Sequence, residues 1–171
     1  SILLTGGYIN KSLTSNCYLI LVNKNQRTDQ FEVNVMPYGK MKSGRERHNI
    51  IFLEDRNSVL VCSGFFNNGS EITNLDSGEW TNLGQMNEVR GNATIAYVNN
   101  RYVYVIGGYK VQEGRNLPGI YHGNCEFFDL NDQNPYEDSD PNKNENIPKM
   151  RGKNKGLEKG EDNLDLSKIP L

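Results

Sequence analysis

The sequence predicts an all-β chain of small stacked sheets over residues 1–130, and three observations carry that expectation. Turn-forming groups (Gly-Gly, Asn-Gly, Asp-Ser-Gly and Asn-Asn) recur along this stretch, and their residues tolerate the left-handed backbone that tight turns need. Between them lie runs of about six residues rich in Val, Ile, Leu, Tyr and Phe, the length of strands and too short for helices. These runs, with the residues around them, repeat along the chain.

The elements follow in order. Ser1 falls inside a run that ends at Gly6-Gly7, and CYLILV follows from Cys17. HNIIFL from His48 and SVLVCSG from Ser58, separated by Glu54-Asp55-Arg56-Asn57, read as a hairpin. NATIAYV from Asn92 and RYVYVIGG from Arg101 read as a second hairpin, whose two-residue Asn99-Asn100 loop accepts positive φ at both positions. Asp76-Ser77-Gly78 reads as the turn joining the last two strands of one sheet. The second strand of each hairpin is apolar almost throughout, which predicts burial on both faces. Cys17 and Cys62 lie within apolar runs and read as small buried hydrophobes. Trp80, the only tryptophan, would bury roughly 150–250 Å² as a wedge between neighbouring sheets.

The repeat can be traced residue by residue. Met41, Arg45, Arg47, His48, a hairpin, Ser63-Gly64, Glu71, Trp80 and Leu83 are echoed by Met86, Arg90, Asn92, a hairpin, Gly107-Gly108 and Glu126. The pairs Gly6-Gly7, Ser63-Gly64 and Gly107-Gly108 stand 57 and 44 positions apart, on either side of a period of about 50. On these residues the sequence resembles kelch repeats, each of which forms the four strands of one β-propeller blade. RYVYVIGGY, from Arg101 to Tyr109, is close to the family's strand-plus-diglycine signature, and GEWTNLGQM, from Gly78 to Met86, resembles the tryptophan segment that ends a blade. Two departures stand out: Ser63 replaces the first glycine of the middle pair, and no tryptophan follows Glu126–Leu130, where Tyr136 is the substitute. The resemblance implies a partial kelch-type propeller with two full four-stranded blades (40–83 and 86–130) and part of another (1–38). A closed propeller takes at least four blades, so the chain is expected to be a piece of a longer protein, completed by blades outside these residues.

From Asn131 the composition changes. Residues 131–171 are crowded with Asn, Asp, Glu, Lys, Gly and Pro, too polar to offset their ordering entropy by burial. They read as a polar tail or insertion, disordered or ordered by a partner. Met150-Arg151 echoes the start of a repeat without a hairpin after it, and Lys149, Arg151, Lys153, Lys155 and Lys159 sit beside Glu158, Glu161, Asp162 and Asp165. The terminal Leu164, Leu166, Ile169, Pro170 and Leu171 read as a short docking peptide.

Composition excludes several function classes. A net charge of −2 gives no long-range attraction to nucleic acid or to an anionic membrane. No stretch approaches the roughly 18 apolar residues of a membrane span, and Ser1–Gly7 has no basic segment of a secretory signal. Three widely spaced cysteines and two histidines give neither a zinc site nor a disulfide framework, and a reducing, cytoplasmic setting fits. Sequons at Asn10, Asn68 and Asn92 would matter only in a secreted protein. Kelch propellers include copper radical oxidases and sialic-acid mutarotases, but Tyr121, His122 and Cys125 alone supply too few ligands for that copper site. Asn74–Trp80 is reminiscent of the sialidase Asp-box at a spacing one residue short, and reads as a structural turn. No phosphate loop, dinucleotide fingerprint or nucleophile elbow is present.

The expected function is therefore that of a non-catalytic protein-interaction module without cofactor or metal, a scaffold or subunit of a larger and possibly cytoskeletal assembly, with other proteins as partners. Two alternatives are a ubiquitin-ligase substrate adaptor and, from a different class, a kelch-fold sugar oxidase or mutarotase. By the resemblance, Arg45, Arg47, His48, Arg90 and Asn92 match the positions that line a partner face, where arginine forks suit carboxylates. The same arginines could instead tie neighbouring loops through their planar forks. The stretches 8–15, 65–69 and 109–118 read as loops at the opposite hairpin ends, with Phe65 and Phe66 as an apolar contact patch. Gly6, Gly7, Ser63, Gly64, Trp80, Gly107 and Gly108 are expected to be structural.

Overall fold

Fourteen short strands form from these runs, and the computed structural model describes residues 1–112 and 118–131. They are β1 (Ile2–Thr5), β2 (Tyr8–Ile9), β3 (Ser12–Leu13), β4 (Asn16–Lys24), β5 (Phe31–Lys40), β6 (Asn49–Leu53), β7 (Ser58–Cys62), β8 (Gly69–Asn74), β9 (Trp80–Gln85), β10 (Thr94–Val98), β11 (Tyr102–Ile106), β12 (Tyr109–Lys110), β13 (Ile120–Tyr121) and β14 (Cys125–Asp129). Among the described residues the only helical element is one 3-10 turn, Glu54–Arg56, and no helix is long and apolar enough to cross a membrane. The chain is all-β. The expected polar segment lies, from residue 132 on, outside the described residues, and so do Tyr136, the Met150-Arg151 pair and residues 113–117.

The strands pair antiparallel into three open sheets: β1-β4-β5, β6-β7-β8-β9 and β10-β11-β14. Two-stranded ribbons, β2-β3 and β12-β13, are inserted after β1 and β11. Only the middle sheet has the four strands expected of each full repeat; the third has three among the described residues. β1, β7 and β11 are each followed by a pair of residues at positive φ, Gly6-Gly7, Ser63-Gly64 and Gly107-Gly108, β1 as an edge strand and β7 and β11 as the second strands of their sheets. At Gly6 a Cβ would stand 2.5 Å from the Arg45 carbonyl oxygen, so close backbone approach as well as φ demands glycine there. Both expected hairpins form. Asn57 closes the first in left-handed conformation, and Asn99 and Asn100 both take positive φ in the second, where Arg101 N–H donates to Val98 O.

The sheets stack face to face, and β7 shows how. Its side chains alternate between two cores: Val59 and Val61 pack with Cys17, Met41 and Trp80 toward the first sheet, while Leu60 and Cys62 pack with Leu53, Val103, Val105 and Phe128 toward the third. All five β7 residues are buried, as the unbroken apolar run predicts. β11 departs from that expectation: Val103 and Val105 are buried, but Tyr102 and Tyr104 are half-buried and Ile106 is exposed. Its outer face meets no further sheet among the described residues. Cys17 and Cys62 are buried free thiols, and burial pushes Cys62 up to about 12, so both serve as packing groups.

Trp80 is 2% exposed between the first and middle sheets. The interlock around it is tight: Tyr38 Oη donates to the Leu75 carbonyl, and a Cβ on Gly39 would lie 2.3 Å from the Gly78 oxygen. Asp76-Ser77-Gly78 forms the expected turn between β8 and β9, with Gly78 N–H donating to Asn74 O and Gly78 at φ +68. Removing the indole (Trp80→Ala) is expected to destabilise the protein by about 3–5 kcal/mol, measured by denaturant unfolding. In the wild type the single tryptophan should emit at short wavelength when folded and shift red on unfolding, reporting separation of these two sheets.

Candidate protein-interaction face

An arginine follows each repeat's methionine by four positions, Arg45 after Met41 and Arg90 after Met86. These were candidates for a partner face, but the structure buries both, at 1% and 0% exposure. Arg45 donates from Nη1 to the Ser63 and Gly69 carbonyls, at 3.1 and 2.8 Å, and from Nη2 to Glu71. Glu71 in turn accepts from the Lys42 and Ser43 amides. Arg90 repeats the arrangement: Nη1 donates to Gly107 O and Asn124 O, Nη2 to the Asn124 side chain, and Nε to Glu126 at 2.9 Å. Glu126 accepts from the Asn87 and Glu88 amides. The two arginines therefore tie loops and have no free surface for a partner. A buried charge must be paired and hydrogen-bonded, and each guanidinium meets that condition inside the chain.

His48 is drawn the same way. Its Nε2 shares a 2.8 Å hydrogen bond with Thr5 Oγ1, and its buried Nδ1 has no partner among the described residues. Burial, and secondarily the Arg45 charge, lowers its pKa to about 4. His48 thus stays neutral between the first sheet and the loop leading into the middle one.

What remains exposed gathers at one end of the sheets. Arg47 and Asn92, each six positions after the repeat's methionine, are both exposed and both in left-handed conformation at φ 51. Asn92 N–H donates to Arg47 O, joining the two lead-in loops. An aromatic residue follows each glycine pair: Tyr8, Phe65 and Tyr109. The Arg47 guanidinium lies over the Phe65 ring, 4.8 Å from its centroid. Phe65 packs edge-on against Tyr109 at 4.9 Å and against Phe66 at 6.2 Å, and Tyr109 meets Tyr121 at 5.7 Å. Phe66 and Tyr121 are 66% and 84% exposed. Gly91 makes room for this array, since a Cβ there would stand 2.1 Å from Phe65.

The structure therefore brings Arg47, Phe65, Phe66 and Asn92 together and removes Arg45 and Arg90; His48 lies half-buried behind them. It also corrects their placing. Phe65 and Arg47 lie at the same end, because β7 runs back antiparallel to β6 and finishes beside β6's start. Stretches 8–15 and 109–112 are not plain loops but contribute the ribbons β2-β3 and β12. Tyr109 and Tyr121 join the array in addition to the expected contact residues. The signal for Tyr109 was present as the aromatic after each glycine pair, whereas Tyr121 arrives only through the β12-β13 pairing. His122 is half-buried and donates from Nε2 to Val89 O, and among the described residues no group of three or more His, Cys, Asp or Glu converges as metal ligands.

No family model matches the chain, and no curated protein matches it significantly.

Two outcomes follow from the buried ionic groups. Glu71→Ala or Glu126→Ala, by leaving its arginine uncompensated, is expected to lower unfolding free energy by about 3–5 kcal/mol, read by denaturant titration. Because the folded pKa of His48 lies below its unfolded value of about 6.5, stability should be complete above pH 6.5 and fall as pH drops toward 4, by on the order of 2–3 kcal/mol. A His48→Gln variant should flatten that part of the pH–stability profile.

Proposed function

We propose that the chain is part of a kelch-type propeller and serves as a non-catalytic protein-interaction module of a larger cytoplasmic assembly, and that its contact surface is the aromatic–arginine array. The observation that carries this reading is the Arg47 guanidinium held over Phe65 beside exposed Phe66 and the Tyr109–Tyr121 pair. Aromatic residues and arginine are the side chains that dominate protein interfaces, offering large contact area at low entropic cost. A rigid β-scaffold with chemistry on its loops suits binding. Arg47 has no ion pair with an acidic side chain among the described residues, and its fork suits a partner carboxylate, while the rings suit an adjacent apolar side chain. The target class is thus a peptide segment pairing an acidic with an aromatic or aliphatic residue. The buried free thiols of Cys17 and Cys62 fit the reducing setting that the cytoplasmic reading needs.

The test is selection of peptides from a displayed library on the purified chain, followed by fluorescence polarisation. Selected peptides should carry an acidic residue next to an apolar one. Arg47→Ala, Phe66→Ala and Tyr121→Ala should each weaken binding about tenfold or more, as hot-spot truncations do, with an unchanged melting temperature. Equal binding by all three variants would remove this face as the contact surface.

A further inference from the structure

β5 is the edge of the first sheet away from β1, and the same edge of the four-stranded middle sheet, β9, is open too. The two edges differ in length and regularity. In β9 a bulge falls between Asn82, opposite Glu71, and Gly84, opposite Ser70, so that only Trp80, Thr81 and Asn82 pair in even register before it. Bulges of this kind guard an open edge. β5 is ten residues long, and its pairing with β4 runs unbroken from Phe31, opposite Lys24, to Pro37, opposite Tyr18. From Phe31 to Met36 it has no lysine, arginine or proline, and its one charge, Glu32, accepts from Asn25 Nδ2 at 2.9 Å. Among the described residues β5 pairs only with β4. The turn shows which of its backbone groups are free. Asn25 N–H donates to Gln30 O, and bonded and non-bonded pairs alternate along an antiparallel ladder. Glu32, Asn34 and Met36 therefore bond inward to β4, while Phe31, Val33 and Val35 turn their N–H and C=O groups to the open edge. Pro37, next in that series, has no N–H and ends the row. The side chains of Phe31, Val33 and Val35 share one face and are 67%, 60% and 61% exposed.

We propose that two copies of this chain join edge to edge through β5, running antiparallel about a two-fold axis at Val33. In that register Val33 of one copy stands opposite Val33 of the other, Phe31 opposite Val35, and Glu32 opposite Asn34. The row is its own complement. The free N–H and C=O groups of Phe31, Val33 and Val35 meet those of the same three residues in the second copy. On one face the apolar side chains pack across the seam, because opposed residues share a face. On the other, Glu32 meets an uncharged amide, so no like charges are opposed. Neighbouring registers lack this match. An axis at Glu32 would set two carboxylates opposite each other, and one at Asn34 or Val35 would bring Pro37, which cannot donate, into the row. An axis at Phe31 would draw in Asp29, which is held in left-handed conformation in the turn. The contact is isologous and closes on itself, as in most symmetric dimers. Main-chain pairing supplies its affinity, as in other strand additions, and it uses no residue of the aromatic–arginine array.

The test uses the full 171-residue chain. Sedimentation velocity over rising protein concentration should show a growing species of twice the 19.4 kDa chain mass. Val33→Pro removes an outward N–H while leaving the ladder to β4 intact, and Val33→Lys places a charge on the edge. Each should weaken dimerisation about tenfold or more with an unchanged far-UV spectrum. A monomer at every concentration, or a dimer that the folded variants retain, would overturn the proposal. Register is read independently by oxidation in a Cys125→Ser background. Val33→Cys, on the axis, should give a covalent dimer, whereas Phe31→Cys, offset from its counterpart by about four residues or roughly 13 Å of strand, should not. Equal cross-linking at the two positions, or none at Val33→Cys, would overturn it as well.

Discussion

Much of this molecule hangs on a buried guanidinium and carboxylate used twice. Arg45 with Glu71, and Arg90 with Glu126, join three things in each of two sheets: the loop leading in, the first residue of the glycine turn, and the strand that returns beside the one before that turn. Neither charge would be tolerable alone in such a site. Together, with backbone carbonyls on one member and backbone amides on the other, they satisfy most of each other's hydrogen bonding, Arg45 Nε being left without a partner among the described residues. The first sheet carries no such pair among the described residues. In the ladder position where Glu71 stands opposite Val61 and Glu126 opposite Val105, Tyr18 stands opposite Leu4.

The fixed loops then lock one sheet to the next. Ser63, in left-handed conformation and fully buried, accepts the Arg90 amide on its hydroxyl. That explains a serine where the repeat otherwise has glycine: it gives up conformational ease for a hydrogen bond into the following sheet. Gly7 N–H donates to Arg45 O, and Asn92 N–H to Arg47 O, so each lead-in loop is bonded to its neighbour as well as to its own sheet. The aromatic array sits on these loops and inherits their rigidity.

How much of this was legible in the sequence varied with the range of the interaction. Runs of alternating or unbroken apolar residues and the Asn-Asn and Asp-Ser-Gly turns are local signals, and the hairpins appear where they predict. Trp80 as an intersheet wedge was legible because a lone large aromatic among polar neighbours has few other uses. The role of the arginines was only half legible. Spacing from Met41 and Met86 marked Arg45 and Arg90 as equivalent, but whether a guanidinium points inward or outward depends on a carboxylate 26 or 36 residues away. Arg47 and Arg45, two positions apart, take opposite fates because Arg47 sits in left-handed backbone that turns its side chain outward. The exposed face of β11 was not legible, since an unbroken apolar run shows that a strand can be covered on both sides and says nothing about what covers it.

The glycine turns have one further property. Gly6 N–H bonds to Asn16 O, Ser63 N–H to Gly69 O and Gly107 N–H to Asn124 O, closing excursions whose two ends are in the same relation although they lie 10, 6 and 17 positions apart. Loop-closure entropy rises only slowly with length, by about 0.6 kcal/mol per doubling, so once its feet are clamped an excursion can grow or shrink with little effect on the sheets beneath. Such a scaffold is evolvable at one rim: insertions there diversify what the molecule meets while the layered body keeps its shape.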